Sequence, residues 1–274
     1  MNKIAAVVLA FMLLFSVVAA AEDTALLDGD DTDARVYADM LEAQYGVPIL
    51  IGNECLDVIQ QDVFSVGSQA PNRSVILGQM KIKHTDEELE KLDKALSHYP
   101  ADLFMNIKDE NAPKGIRFLI ADQIIERRPE RLSVGFSACE DAYYNIILAH
   151  TLFDQYTVHH EIWHVMEWYI KKKYPGIFLS WGSLNPPGFK YSNDYKAITA
   201  DYDPNYFVWE YSTLNAEEDR ATIAEEVFYE DGIEWFSEHP FISKKLNSMN
   251  MILRESLGIQ YNVKTAEVEK CQAN

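Results

Sequence analysis

The chain has 274 residues, of which 48% are apolar, 12% aromatic and 24% charged. That is enough apolar material for a sizeable core in one large or two small domains, and it excludes disorder, collagen and coiled coil as descriptions of the whole chain. With 24 Lys and Arg against 43 Asp and Glu, the formal charge of -19 speaks against a nucleic acid or an anionic membrane surface as partner.

The N-terminus reads as a secretory signal over residues 1–21. Lys3 supplies a short positive start, residues 4–18 an apolar run, and Ala19-Ala20-Ala21 a small-residue cleavage site before Glu22. The run falls short of the roughly 20 apolar residues of a spanning helix, and no later stretch reaches that length. The expectation is a soluble chain exported through the Sec pathway, with no stable membrane association after cleavage. Three cysteines, Cys55, Cys139 and Cys271, allow at most one bridge, and none sits in a CxxC pair. Asn72-Arg73-Ser74 is a glycosylation sequon, meaningful in a eukaryotic source.

Residues 22–34 are acidic and rich in Gly and Asp, and helical spacing then runs over 34–44 and closes at Gly46. Residues 47–52 read as a strand. Thr85-Asp86-Glu87-Glu88 is a capping-box pattern, and Leu89, Leu92 and Leu96 share one face of the helix predicted over 85–97. Residues 116–121 and 144–150 are β-rich, which makes the first lobe α+β, helices against a small mixed sheet. Residues 145–148 are a candidate cleft edge for an extended peptide, or a plain sheet strand.

From Val158 the spacing returns to helix. Val158, Ile162, Val165, Met166 and Tyr169 line one face, His160, His164, Glu167 and Lys171 another, and the helix stops before Pro175-Gly176. Residues 174–211 are dense in aromatics, including Trp181, Trp209 and Tyr211, and suit either packing under a long loop or the lining of a cleft. Helices are predicted over 215–230 and 242–257. The layout is a signal (1–21), a leader with a supporting α/β segment (22–84) and a larger unit (85–274) whose C-terminal part is mainly helical.

The chemistry is concentrated in His160-Glu161-Ile162-Trp163-His164. Residues i and i+4 stand one turn apart, so both imidazoles can reach one metal ion, and Glu161, about 100° round the helix, can reach a water beside it. His159 has the wrong spacing to pair with His164, so a solvated or supporting place is expected for it. Catalytic zinc takes a third protein ligand and keeps one position open. Glu217, Glu218, Asp219, Glu225 and Glu226 are all available downstream, and spacing alone does not choose among them.

The run Tyr211-Ser212-Thr213-Leu214-Asn215-Ala216-Glu217-Glu218 resembles the Tyr-x-x-x-Asn-x-x-Glu segment of the anthrax lethal factor-like zincins, a family of metallopeptidases. The resemblance covers HExxH as well, together with an acid three residues after the second histidine, here Glu167; Trp163 stands where the family commonly has glycine. It implies a zincin-like fold, one Zn2+ per chain held by His160, His164 and Glu218, Glu161 as general base, and Tyr211 pointing into the cleft. It also implies that Glu167 orients a ligand imidazole, with Glu225 as the alternative third ligand, and a peptide or protein substrate. The reading from another class is an inactive zincin used as a binding or inhibitory module; a third is a purely structural zinc.

Overall fold

A computed structural model describes residues 31–57, 73–76, 85–121, 123–127, 130–194 and 202–271. The signal segment, residues 22–30 and Asn72 of the sequon lie outside the described residues.

The apolar runs pair into a four-stranded sheet. Its strands are β1 (Ile49–Ile51), β3 (Ile116–Ala121), β7 (Tyr143–Ala149) and β6 (Gly135–Glu140), in the order β1-β3-β7-β6. The first three run parallel, with Ile49 opposite Phe118 and Leu119 opposite Ile147. β6 is antiparallel to β7, with Ser137 opposite Ile146, and the hairpin between them turns through Asp141 and Ala142, both left-handed at φ 54 and 68. β3 is buried at every position, as a strand covered on both faces should be. Residues 145–148 are therefore not the sheet edge that their composition allowed: β7 lies between β3 and β6, and among the described residues β6 is the edge on that side.

A second, antiparallel sheet joins β2 (Arg73–Ile76), which precedes β3, to β4 (Gln123–Arg127) and β5 (Glu130–Ser133), which lie between β3 and β6 in the chain. A hairpin of β8 (Ile259–Asn262) and β9 (Glu267–Lys270) ends the described chain.

The helices are α1 (Asp31–Tyr45), α2 (Thr85–Leu96), the single turn α3 (Leu103–Asn106), α4 (Gln155–Lys173), α5 (Ala216–Glu226), α6 (Gly232–Glu238) and α7 (Pro240–Leu257). α5 ends four residues earlier than its spacing suggested, and α7 begins two residues earlier, with Pro240 in its first turn. Ala38 and Leu41 of α1, Leu89 and Leu92 of α2, and Ile162 and Met166 of α4 join one continuous core on one face of the sheet. Each buried Leu, Ile or Met among these contributes roughly 1.5–3 kcal/mol. A smaller cluster on the opposite face holds Cys55, Leu119, Phe136 and Ile147. All three cysteines are free thiols, and burial raises that of Cys55 to about 12. Among the described residues no helix is long and apolar enough to cross a membrane.

Candidate metal centre

α4 carries the HExxH residues, and its ends are fixed by local chemistry. The Asp154 side chain accepts from Thr157 N at 2.8 Å and caps the first turn, while Lys171, Lys172 and Lys173 meet the negative end of the helix dipole. α5 starts in the same manner, with the Asn215 side chain accepting from Glu218 N at 2.8 Å. The cap fixes the first turn of α5, and Glu218 in that turn faces the two histidines.

Glu218 Oε2 lies 3.0 Å from His160 Nε2 and 3.3 Å from His164 Nε2, and the two nitrogens are 3.2 Å apart. Three ligand atoms on a tetrahedron with bonds of ~2.0–2.1 Å would stand about 3.3–3.4 Å from one another, so the triangle fits a zinc ion closely. His160, His164 and Glu218 are accordingly a group able to hold a metal.

Electrostatics agree with the geometry. Burial works against a charge on His160, but hydrogen bonds with Glu218 and Glu225 outweigh it and hold the imidazole well above the usual histidine value. Burial likewise favours the neutral form of Glu218, yet the two histidines hold its carboxyl well below the ordinary range. Carboxylates gathered on a pair of imidazoles are the charge balance that a divalent cation completes.

Glu225 is not part of the group able to hold a metal. Its Oε2 lies 3.3 Å from the other ring nitrogen of His160, Nδ1, and Tyr229 donates to its Oε1. Since a carboxylate accepts only, Nδ1 carries the hydrogen there and Nε2 is the atom turned to Glu218 and His164.

Glu167 departs from its expected place. It touches neither ligand imidazole: Arg220 Nε and Nη2 donate to its two oxygens at 2.7 and 2.6 Å, and Trp163 Nε1 donates to Oε2 at 2.9 Å. Both ends of that pair are 1% exposed. It clamps α4 to α5, and the departure at Trp163 belongs to the same clamp, because its indole supplies one of the donors.

His159 is also displaced from expectation. It is fully buried, stacked on Phe228 at 3.5 Å, with Nδ1 facing the Tyr99 hydroxyl at 3.0 Å. Burial pushes its pKa well below the usual value.

The aromatic segment divides between its two readings. Trp181 and Tyr191 donate to buried Asp219, and Phe207 lies under Lys245, so these rings are packing. Tyr211 lies with its ring 6.2 Å from that of His160 and stacks on Trp209, in a turn pinned to α5 by the contact between Ser212 and Thr222. Glu161 is nearly buried, and Ser137 on β6 donates to its Oε2 at 2.7 Å. Sequence reasoning missed Ser137, Arg220 and Lys245, since each meets its partner across at least 24 residues of chain.

No family model matches the sequence, and no curated protein matches it. Among solved structures, the chain is similar to a protein of Bacteroides caccae described as a "putative zinc-binding metallo-peptidase", with a TM-score of 0.50 and 15% identity over 88% of this chain and 91% of that one. At that identity the likeness is one of fold: a small mixed sheet with several helices.

Proposed function

We propose that the chain is an exported zinc-dependent metalloendopeptidase of the lethal factor-like zincin type. One observation carries this reading: a carboxylate oxygen and two imidazole nitrogens converge at 3.0 to 3.3 Å, with a glutamate adjoining the first histidine. The description of the Bacteroides caccae structure supports it. His160, His164 and Glu218 would hold the ion, and three protein ligands suit catalysis better than a closed structural site. When bound, zinc supplies a Lewis acid that polarises a carbonyl and brings the pKa of water to near ~7.

The remaining work falls to side chains. Glu161 takes the proton of the attacking water and returns it to the leaving amine, so that one carboxylate acts as base and then as acid. Tyr211, standing beside His160, would donate a hydrogen bond to the oxyanion of the addition intermediate, where one donor contributes about 3 kcal/mol elsewhere. The substrate is a peptide or protein; the formal charge of -19 speaks against nucleic acid.

The test is zinc content together with cleavage of a diverse peptide library, for the mature chain and for Glu161→Gln. One zinc in both proteins with cleavage by the wild type alone is the expected result. Zinc in both without cleavage favours the inactive binding module, and absence of zinc from both removes the ligand assignment.

A further inference from the structure

The carboxylate of Glu161 is held from the sheet. Ser137 Oγ lies 2.7 Å from Glu161 Oε2 and 3.1 Å from the Glu161 main-chain oxygen, and Ser137 is 3% and Glu161 6% exposed. Such contact between a strand and a helix needs a close approach, which the alternation of β6 provides. Phe136 and Ala138 belong to the far-side core, which leaves Gly135 and Ser137 on the face toward α4. A Cβ at Gly135 would stand 3.0 Å from Thr157 Cγ2 and 3.3 Å from Glu161 Cγ. The strand reaches the helix at this distance because residue 135 has no side chain.

From this geometry we infer that Ser137 is the positioning residue of the catalytic carboxylate, an inference that rests on the reading of Glu161 as general base. The terminal torsion of a glutamate is broad, so an unrestrained carboxylate samples many planes. A hydroxyl proton directed at Oε2 fixes the plane and assigns Oε1 as the oxygen that receives the proton from water. When Oε1 is protonated, Oε2 becomes the carbonyl oxygen and still accepts from Ser137. The bond therefore persists through the cycle, and Ser137 neither gains nor loses a proton. Because Ser137 belongs to the edge strand, the alignment of the base is tied to the position of the sheet edge itself.

The experiment compares Ser137→Ala and Ser137→Thr with the wild type, all as zinc-loaded full chains. Ser137→Ala is expected to keep one zinc and an unchanged KM while kcat falls about tenfold, within the ~100-fold that a misplacement of about 1 Å can cost. Ser137→Thr, which keeps the hydroxyl, restores most of the loss. In zinc-free protein carrying 13C at the glutamate side-chain carboxyls, the resonance that Glu161→Gln removes moves in Ser137→Ala and stays in Ser137→Thr. An unchanged kcat in Ser137→Ala, or a loss that Thr does not restore, would overturn the positioning role and leave the peptidase reading standing. If the wild type cleaves nothing, the peptidase reading fails, and an unmoved carboxyl resonance would separately remove the contact.

Discussion

Asp219 and Lys245 form an ion pair 2.8 Å long with both side chains at 0% exposure, and Asp219 directly follows Glu218 in the chain. The pair joins the first turn of α5 to α7 and gathers the Trp181 indole, the Tyr191 hydroxyl and the Tyr206 carbonyl around it. Removing one partner of a buried pair leaves the other charge unpaired, which costs about 3–5 kcal/mol. Lys245→Met should therefore unfold at clearly lower urea, and Asp219→Asn combined with Lys245→Met should recover part of the loss. A midpoint for Lys245→Met equal to that of the wild type would show that the pair adds nothing to the stability of the fold.

Glu225 and Glu218 both face His160, but through different nitrogens, and their substitutions should separate accordingly. Glu218→Ala removes one of the three groups able to hold a metal and is expected to abolish stoichiometric zinc. Glu225→Ala leaves all three of those groups in place and frees the imidazole to turn, which is expected to lower zinc affinity by about 10–100-fold. Glu225→Gln keeps an acceptor for Nδ1–H and should fall between Ala and wild type. Competition with a chelator of known affinity reads all three; a loss in Glu225→Ala as complete as in Glu218→Ala would return Glu225 to the ligand set.

The HExxH helix was readable from sequence because its signals are local: the apolar face from Val158, the one-turn spacing of His160 and His164, and the stop before Pro175; its start at Gln155 behind the Asp154 cap lies three residues earlier than that spacing gave. The capping pattern at Thr85 gave α2 for the same reason. Glu167 had a local signal too, but its partner did not. The family resemblance implied an imidazole as its partner, whereas the guanidinium that meets it arrives on α5 from 53 residues away. β6 was hidden because Gly135-Phe136-Ser137-Ala138-Cys139-Glu140 contains no β-branched residue and only Phe136 as a strand former, too weak a composition to announce a strand. With β6 unseen, β7 was open to being taken for the edge, and the contact of Ser137 with Glu161 could not be derived.

The close approach at Gly135 makes its own prediction. Gly135→Ala places a methyl 3.0 Å from Thr157 Cγ2 and 3.3 Å from Glu161 Cγ, so the helix must yield by a few tenths of an ångström. Overpacking of this kind costs about 1–3 kcal/mol. Thr157→Ser removes the nearer methyl but keeps the hydroxyl that bonds Asp154 at 2.9 Å. The double variant should regain part of the thermal stability lost in Gly135→Ala, measured as the unfolding midpoint. Independent, additive losses would show that the strain is not at Thr157.

His98 gives the fold a pH dependence of calculable sign. Burial lowers its pKa from 6.5, partly offset by the Ala266 main chain and by Glu267, while Lys94 adds to the lowering; the His159 ring stands edge-on at 5.5 Å. The unfolded chain therefore binds a proton near pH 6.5 that the folded chain takes up only at lower pH. The contribution to stability is fully present above 6.5 and is lost as pH falls through the folded value. Between about pH 7.5 and 5.5 the urea midpoint of the wild type should fall relative to that of His98→Gln, a comparison in which the like-signed contribution of buried His159 and the opposite one of His160, held well above the usual value, are common to both proteins. An identical slope in wild type and His98→Gln would show that His98 titrates alike in both states.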